Sequence, residues 1–92
     1  MENEILKKAI EKYGSLTQII VAIEEMAELT KELCKQLRGR DNLEEIAEEI
    51  ADVNITLAEQ QILFDCAGKV KGYEAAKLER LRERLEEPEC SV

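Results

Sequence analysis

Histidine is missing altogether from this chain, and so is tryptophan. The first absence removes the commonest general base and the commonest transition-metal ligand. Ferritin-like di-iron bundles need a Glu-x-x-His pair from each of two helices, so that chemistry is excluded. Ser–His and Cys–His nucleophilic machinery falls on the same ground. Aromatic residues make up only 3% of the sequence and there is one proline, Pro88. That scarcity favours helices over sheets, because strands recruit aromatic and β-branched side chains. The three cysteines, Cys34, Cys66 and Cys90, are odd in number and widely spaced, with no CxxC. A disulfide framework or zinc knuckle is therefore not expected, and a reducing, cytoplasmic setting is. No long apolar run occurs, and the charged start MENEILKK gives no expectation of a signal peptide or a membrane span. A basic excess is lacking too. The formal net charge of -8 argues against partners such as nucleic-acid polymers and anionic membranes, which call for basic patches.

What remains is a short, acidic, aliphatic chain of 92 residues, enough for one small domain spanning residues 1–92. A domain this size buries about 60–65% of the surface its unfolded chain exposes, so its core is marginal and oligomerisation is the usual remedy. Apolar periodicity predicts an all-α antiparallel bundle of about four helices. The first covers Glu2 to Tyr13 and ends at Gly14. The second runs from about Leu16 to Arg38, opened by Ser15 with Gln18 as capping-box partner. The third runs from about Leu43 to Ala67, capped by Asp41 and Asn42, with Gly68 beyond. The fourth runs from about Val70 to Glu87 and carries a narrow seam of Leu78, Leu81 and Leu85 before Pro88. Residues 88–92 are expected to form a disordered tail. The second helix has an apolar arc covering roughly half its circumference, which calls for neighbours on two sides. Leu43, Ile46, Ile50, Val53, Leu57 and Phe64 form the expected core stripe of the third. Cys34 and Cys66 fall on such stripes and are expected to pack as small core hydrophobes. Asn54 and Gln61 interrupt the apolar arc of the third helix. As buried amides they would pair across a subunit interface or read a ligand's polar edge.

Two acidic clusters stand out: Glu24, Glu25 and Glu28 on the second helix, and Glu48, Glu49 and Asp52 on the third. Residues three apart share a helix face, so Glu25 with Glu28 and Glu49 with Asp52 each form a two-carboxylate comb. One such pair is more often a solvated surface. Two pairs on consecutive antiparallel helices are more telling. Glu28 and Glu25 lie 11 and 14 residues before Gly39, and Asp52 and Glu49 lie 10 and 7 after Asn42. At about 1.5 Å rise per residue the combs reach similar heights. Four converging carboxylates repel unless a cation sits among them, and an all-oxygen set suits Mg2+, with Mn2+ as a substitute.

The pattern Glu-Glu-x-x-Glu, a spacer of about two dozen residues, then Glu-x-x-Asp resembles the signature of the MazG-like, all-α nucleoside triphosphate pyrophosphohydrolases. The stretches QIIVAIEEMAELTKELCK and NLEEIAEEIADVNITLAEQ are similar in phrasing to small single-domain phage and Gram-positive members, and the likeness covers roughly Gln18 to Leu85. It implies a hydrolase that takes a nucleoside triphosphate, deoxy or non-standard, to monophosphate and pyrophosphate. It also implies a four-helix bundle built as a homodimer or homotetramer. Carried over residue by residue, the metal ligands are Glu25, Glu28, Glu49 and Asp52. Glu24 and Glu48 match neighbouring acids that support the ligands or accept a proton.

Attack at the α-phosphorus needs the triphosphate's charge neutralised and a nucleophilic water formed near neutral pH, and metal ions supply both. Cations must also grip the phosphates. Lys77 and Arg80, three apart on a helix that could close over the site, are the favoured pair. Gln18, two turns before Glu25 on the same face, is placed to touch nucleotide or bound water, and Asn54 is a weaker base-reading candidate. Two rivals stand beside this reading. One is a non-catalytic helical interaction module whose leucine seam recruits a partner. The other is a relative that binds nucleotide or metal without turnover.

Overall fold

The computed structural model describes residues 2–88, and the only regular secondary structure among them is α-helix. Four helices follow in order: α1 (Asn3–Tyr13), α2 (Ser15–Leu37), α3 (Leu43–Leu63) and α4 (Ala67–Glu86). The expected tail beyond Pro88 lies outside the described residues.

A single glycine separates α1 from α2. Gly14 adopts φ +89 and donates its N–H to the Ile10 carbonyl at 2.8 Å, closing α1. Gly14 is also the residue from which α2 starts, without a side-chain cap. Ser15 thus lies inside the helix instead of capping it, and Gln18 is released from the expected capping box. At the other end of α2, Gly39 N–H reaches Gln36 O at 3.0 Å and Arg40 N–H reaches Lys35 O at 3.1 Å. That paired pattern is a Schellman stop, which needs a left-handed residue, here Gly39 at φ +90.

The same stop recurs where the sequence shows no glycine. Asp65 N–H bonds Ile62 O at 3.1 Å, Cys66 N–H bonds Gln61 O at 3.0 Å, and Asp65 sits at φ +50. Aspartate visits this region more readily than most side chains. So α3 ends at Leu63, four residues before its expected end, and α4 begins at Ala67 with Gly68 inside it.

α2 and α3 pack along their length as an antiparallel pair, with α1 laid against both. α4 approaches no helix but α3, and none of its residues is buried. The radius of gyration is 17.1 Å, against about 12 Å for a compact domain of this length. The chain is an elongated frame with an arm.

Of the expected core stripe of α3, Val53 is buried and Ile46 half-buried, whereas Leu43, Ile50, Leu57 and Phe64 are exposed, because α2 and α3 pack through a seam that is largely polar. The buried apolar side chains are Leu6, Ala22 and Val53, whereas Gln18, Glu32, Asn42, Thr56 and Glu59 are buried polar ones. Ile23 is 59% exposed, Leu33 47% and Ile50 43%. Cys34 is exposed rather than a core residue, and Cys66 is half-buried. No helix among the described residues is long and apolar enough to cross a membrane.

Candidate cation site between α2 and α3

Antiparallel packing brings Glu25 of α2 against Glu49 and Asp52 of α3. One carboxylate oxygen from each lies within 4.8 Å of the other two, and all three side chains are half-buried. The register expected from counting out from the loop is the one the structure adopts for these three. Glu28 is exposed and outside that close group, yet its charge acts on both Glu25 and Glu49. Glu24 and Glu48 are exposed on the rim.

The electrostatics follow from the crowding. Burial raises the Glu25 carboxyl above its ordinary range, reinforced by a hydrogen bond with Asp52 and by the charges of Asp52, Glu49 and Glu28. Burial likewise raises Glu49, with Asp52, Glu28, Glu48 and Glu32 adding repulsion. Glu49 Oε2 is buried and has no hydrogen-bond partner. A buried acceptor left unpaired costs free energy, and acceptors in this state are satisfied by water or an ion. The donor set is oxygen only, so the residues present fit a hard divalent cation.

Polar contacts hold the site from both ends. On the loop side, Asn42 Nδ2 donates to the Glu32 carbonyl at 2.9 Å and to Glu32 Oε1 at 3.1 Å. Lys35 Nζ meets Glu32 Oε2 at 3.0 Å. Those bonds to Lys35 and Asn42 hold the Glu32 carboxyl below its usual range despite burial. Asn42 was expected to cap α3. It stands at the N-cap position, but its side chain makes no cap bond and is turned toward α2. At the far end, Gln60 Nε2 donates to the Gln18 carbonyl at 3.2 Å. The Gln18 amide nitrogen faces Glu59 and donates to its Oε2 at 3.1 Å, while burial raises the Glu59 carboxyl.

Gln18 is therefore engaged with α3 and 8% exposed, rather than reaching outward to a nucleotide. Asn54 is exposed on α3, on the uncovered apolar arc. Lys77 and Arg80 are exposed on α4, so the expected closure of that helix over the carboxylates does not occur within one chain. Glu32, Asn42 and Glu59 are structural members of the α2–α3 seam that the acidic combs alone do not indicate. A signal for them exists: Gln18, Glu25 and Glu32 repeat every seven residues, as do Asn42, Glu49 and Thr56, and Asp52 with Glu59. A seven-residue repeat keeps side chains in the seam between two packed helices. No protein-family model, curated protein or solved structure matches the chain.

Proposed function

We propose that the chain is a Mg2+-dependent nucleoside triphosphate pyrophosphohydrolase of the MazG-like type, working as a homodimer or homotetramer. The observation that carries this reading is the convergence of Glu25, Glu49 and Asp52 around the unpartnered Glu49 Oε2. In this reading those three side chains, with Glu28 on the rim, would hold the cation, for which Mn2+ is the natural substitute. Magnesium would supply charge neutralisation on the triphosphate and activation of the water that attacks the α-phosphorus. Glu24 and Glu48 bring further negative charge beside the ligands and are the acceptors available for the water's proton, since no histidine is present. The buried Glu32 and Gln18 contacts fix the spacing of α2 and α3, and so of the ligand set. Oligomer formation is supported by the exposed apolar arcs of α2 and α3 and by the unpacked α4, none of which a lone chain buries.

The test is pyrophosphate release from a panel of standard and non-standard triphosphates with magnesium. The wild type should release pyrophosphate from at least one, and Glu49→Ala should lose that activity while remaining helical. A second reading, a non-catalytic interaction module, is favoured by the exposed seam of Leu78, Leu81 and Leu85, which are 65%, 43% and 77% exposed. It prevails if the wild type releases nothing and its melting temperature is indifferent to magnesium.

A further inference from the structure

Where α2 gives way to α3, the last turns of one helix, the loop and the first turn of the other enclose a hollow of about 320 Å³. Its lining divides by chemistry. Leu33, Leu43 and Ile46 give it an apolar surface, the two leucines exposed and the isoleucine half-buried. Arg40 and Asp41, neighbours in the loop, line the same hollow with opposite charges. Among the described residues neither is in an ion pair, with the other or with anything else. Asn42 is a further lining residue and is 7% exposed. Its amide nitrogen is committed to Glu32, while its Oδ1 is buried and has no donor. Because that side chain is turned toward α2, α3 opens without a side-chain cap, and the N–H groups of its first turn are left to solvent or to a ligand.

We infer that this hollow binds a small zwitterion with an apolar body, namely a free α-amino acid with an aliphatic or aromatic side chain. Each part of the lining has its counterpart in such a molecule. The carboxylate pairs with the Arg40 guanidinium, whose fork suits it, beside the uncapped start of α3. The ammonium pairs with Asp41 and brings a donor to the wall on which Asn42 Oδ1 lacks one. The side chain covers Leu33, Leu43 and Ile46 and removes them from water. A bare anion is the poorer occupant, because Asp41 lines the hollow and Glu44 and Glu45 follow in the first turn of α3. A bare cation is poorer for the reverse reason, the Arg40 charge. The volume lies at the lower end of the range for small-molecule pockets, about 300–1,000 Å³. The hollow shares no residue with the Glu25, Glu49 and Asp52 group, and what it binds does not depend on whether the chain hydrolyses triphosphates.

The test is a titration of the isotope-labelled full chain with L-leucine, L-isoleucine and L-phenylalanine, followed through its amide resonances. At least one should give saturable shifts centred on residues 33–46 and a raised melting temperature. For L-leucine two analogues separate the charges. Isoamylamine lacks the carboxylate and isocaproate lacks the ammonium, and each should bind about tenfold more weakly or worse, the scale of one hydrogen bond to a charged group. Arg40→Gln and Asp41→Asn should each weaken the amino acid by a similar factor. Both side chains are exposed, so both variants should keep the wild-type helical spectrum and melting temperature in the absence of ligand. The absence of a saturable shift with all three amino acids, up to tens of millimolar, overturns the site. Isoamylamine or isocaproate binding as tightly as L-leucine overturns it as well, because an apolar patch alone would do the same. Arg40→Gln binding with wild-type affinity, or shifts centred on α4 or on Glu25, Glu49 and Asp52, would place the ligand elsewhere and overturn it equally.

Discussion

Asn42, in the loop between α2 and α3, places one amide nitrogen against two oxygens of Glu32, its backbone carbonyl at 2.9 Å and its carboxylate at 3.1 Å. The contact ties the start of α3 to the last turns of α2 and so sets the helix register from which Glu25 meets Glu49 and Asp52. Removing it leaves a buried carbonyl and carboxylate short of a donor. Asn42→Ala is therefore expected to destabilise the fold by about 1–3 kcal/mol, read as a lowered urea midpoint. Asn42→Asp should be worse near neutral pH, because it sets a carboxylate against a carboxylate. An unchanged midpoint for both would show that the loop does not hold the register.

Glu59 makes the opposite case at the far end of the seam. Glu59 is 5% exposed and its carboxyl is raised by burial, and its partner there is the neutral amide of Gln18. Replacing it by glutamine keeps the shape and a hydrogen bond and removes the desolvated charge. Glu59→Gln should thus match or exceed wild-type stability at about pH 8. Glu59→Leu should fall below both, since it leaves the Gln18 amide without an acceptor. Calorimetric melting of the three proteins side by side checks the order.

The acidic pairs were legible because the loop fixes how far each stands from the turn, and the helical rise does the rest. The inside of the frame was less so. Amphipathicity says which residues avoid water, but not whether they do so within one chain or against another. Leu43, Ile50 and Phe64 read as core and are left exposed, while the polar seam of Gln18, Glu32, Asn42 and Glu59 is buried. Its seven-residue spacing was present in the sequence but outweighed by the apolar arcs. The turn at Asp65 was missed for a local reason. A left-handed stop on a non-glycine residue has no composition cue as strong as Gly39, so periodicity alone extends α3 to about Ala67.

Proton linkage gives a prediction with a definite sign. Glu25, Glu49 and Glu59 are raised above the ordinary glutamate value of 4.5, so the folded chain holds their protons more tightly than the unfolded chain does. Their contribution is fully present below 4.5 and is lost as pH rises through the elevated values. Glu32, lowered by Lys35 and Asn42, acts in reverse, its contribution being present above 4.5 and lost as pH falls through its lowered value. Three raised groups against one lowered predict that the metal-free protein melts lower at about pH 8 than at about pH 5. Millimolar magnesium should raise the melting temperature more at the higher pH than at the lower, because the ion must displace the protons that Glu25 and Glu49 hold more tightly in the folded chain. An equal magnesium effect at both pH values would place the ion elsewhere.

Glu49 allows stability and function to be pulled apart. Its buried oxygen lacks a partner, and Asp52, Glu28 and Glu48 all repel its charge, so in the metal-free protein the ionised side chain is a burden. Glu49→Gln keeps the shape and cancels the repulsion, and its amide nitrogen becomes a donor to the neighbouring carboxylates. The metal-free variant should therefore melt at or above the wild-type temperature near pH 8. A residue kept for packing would show the reverse, with destabilisation in every condition. Under the cation-site reading, magnesium should no longer raise the variant's melting temperature, and pyrophosphate release should fall by about two orders of magnitude or more, the scale on which removing one preorganised electrostatic group slows catalysis. Paired melts with and without magnesium read both effects on one sample. A variant that melts early yet keeps its magnesium response would mean that Glu49 supports the helices and that the cation is held by other side chains.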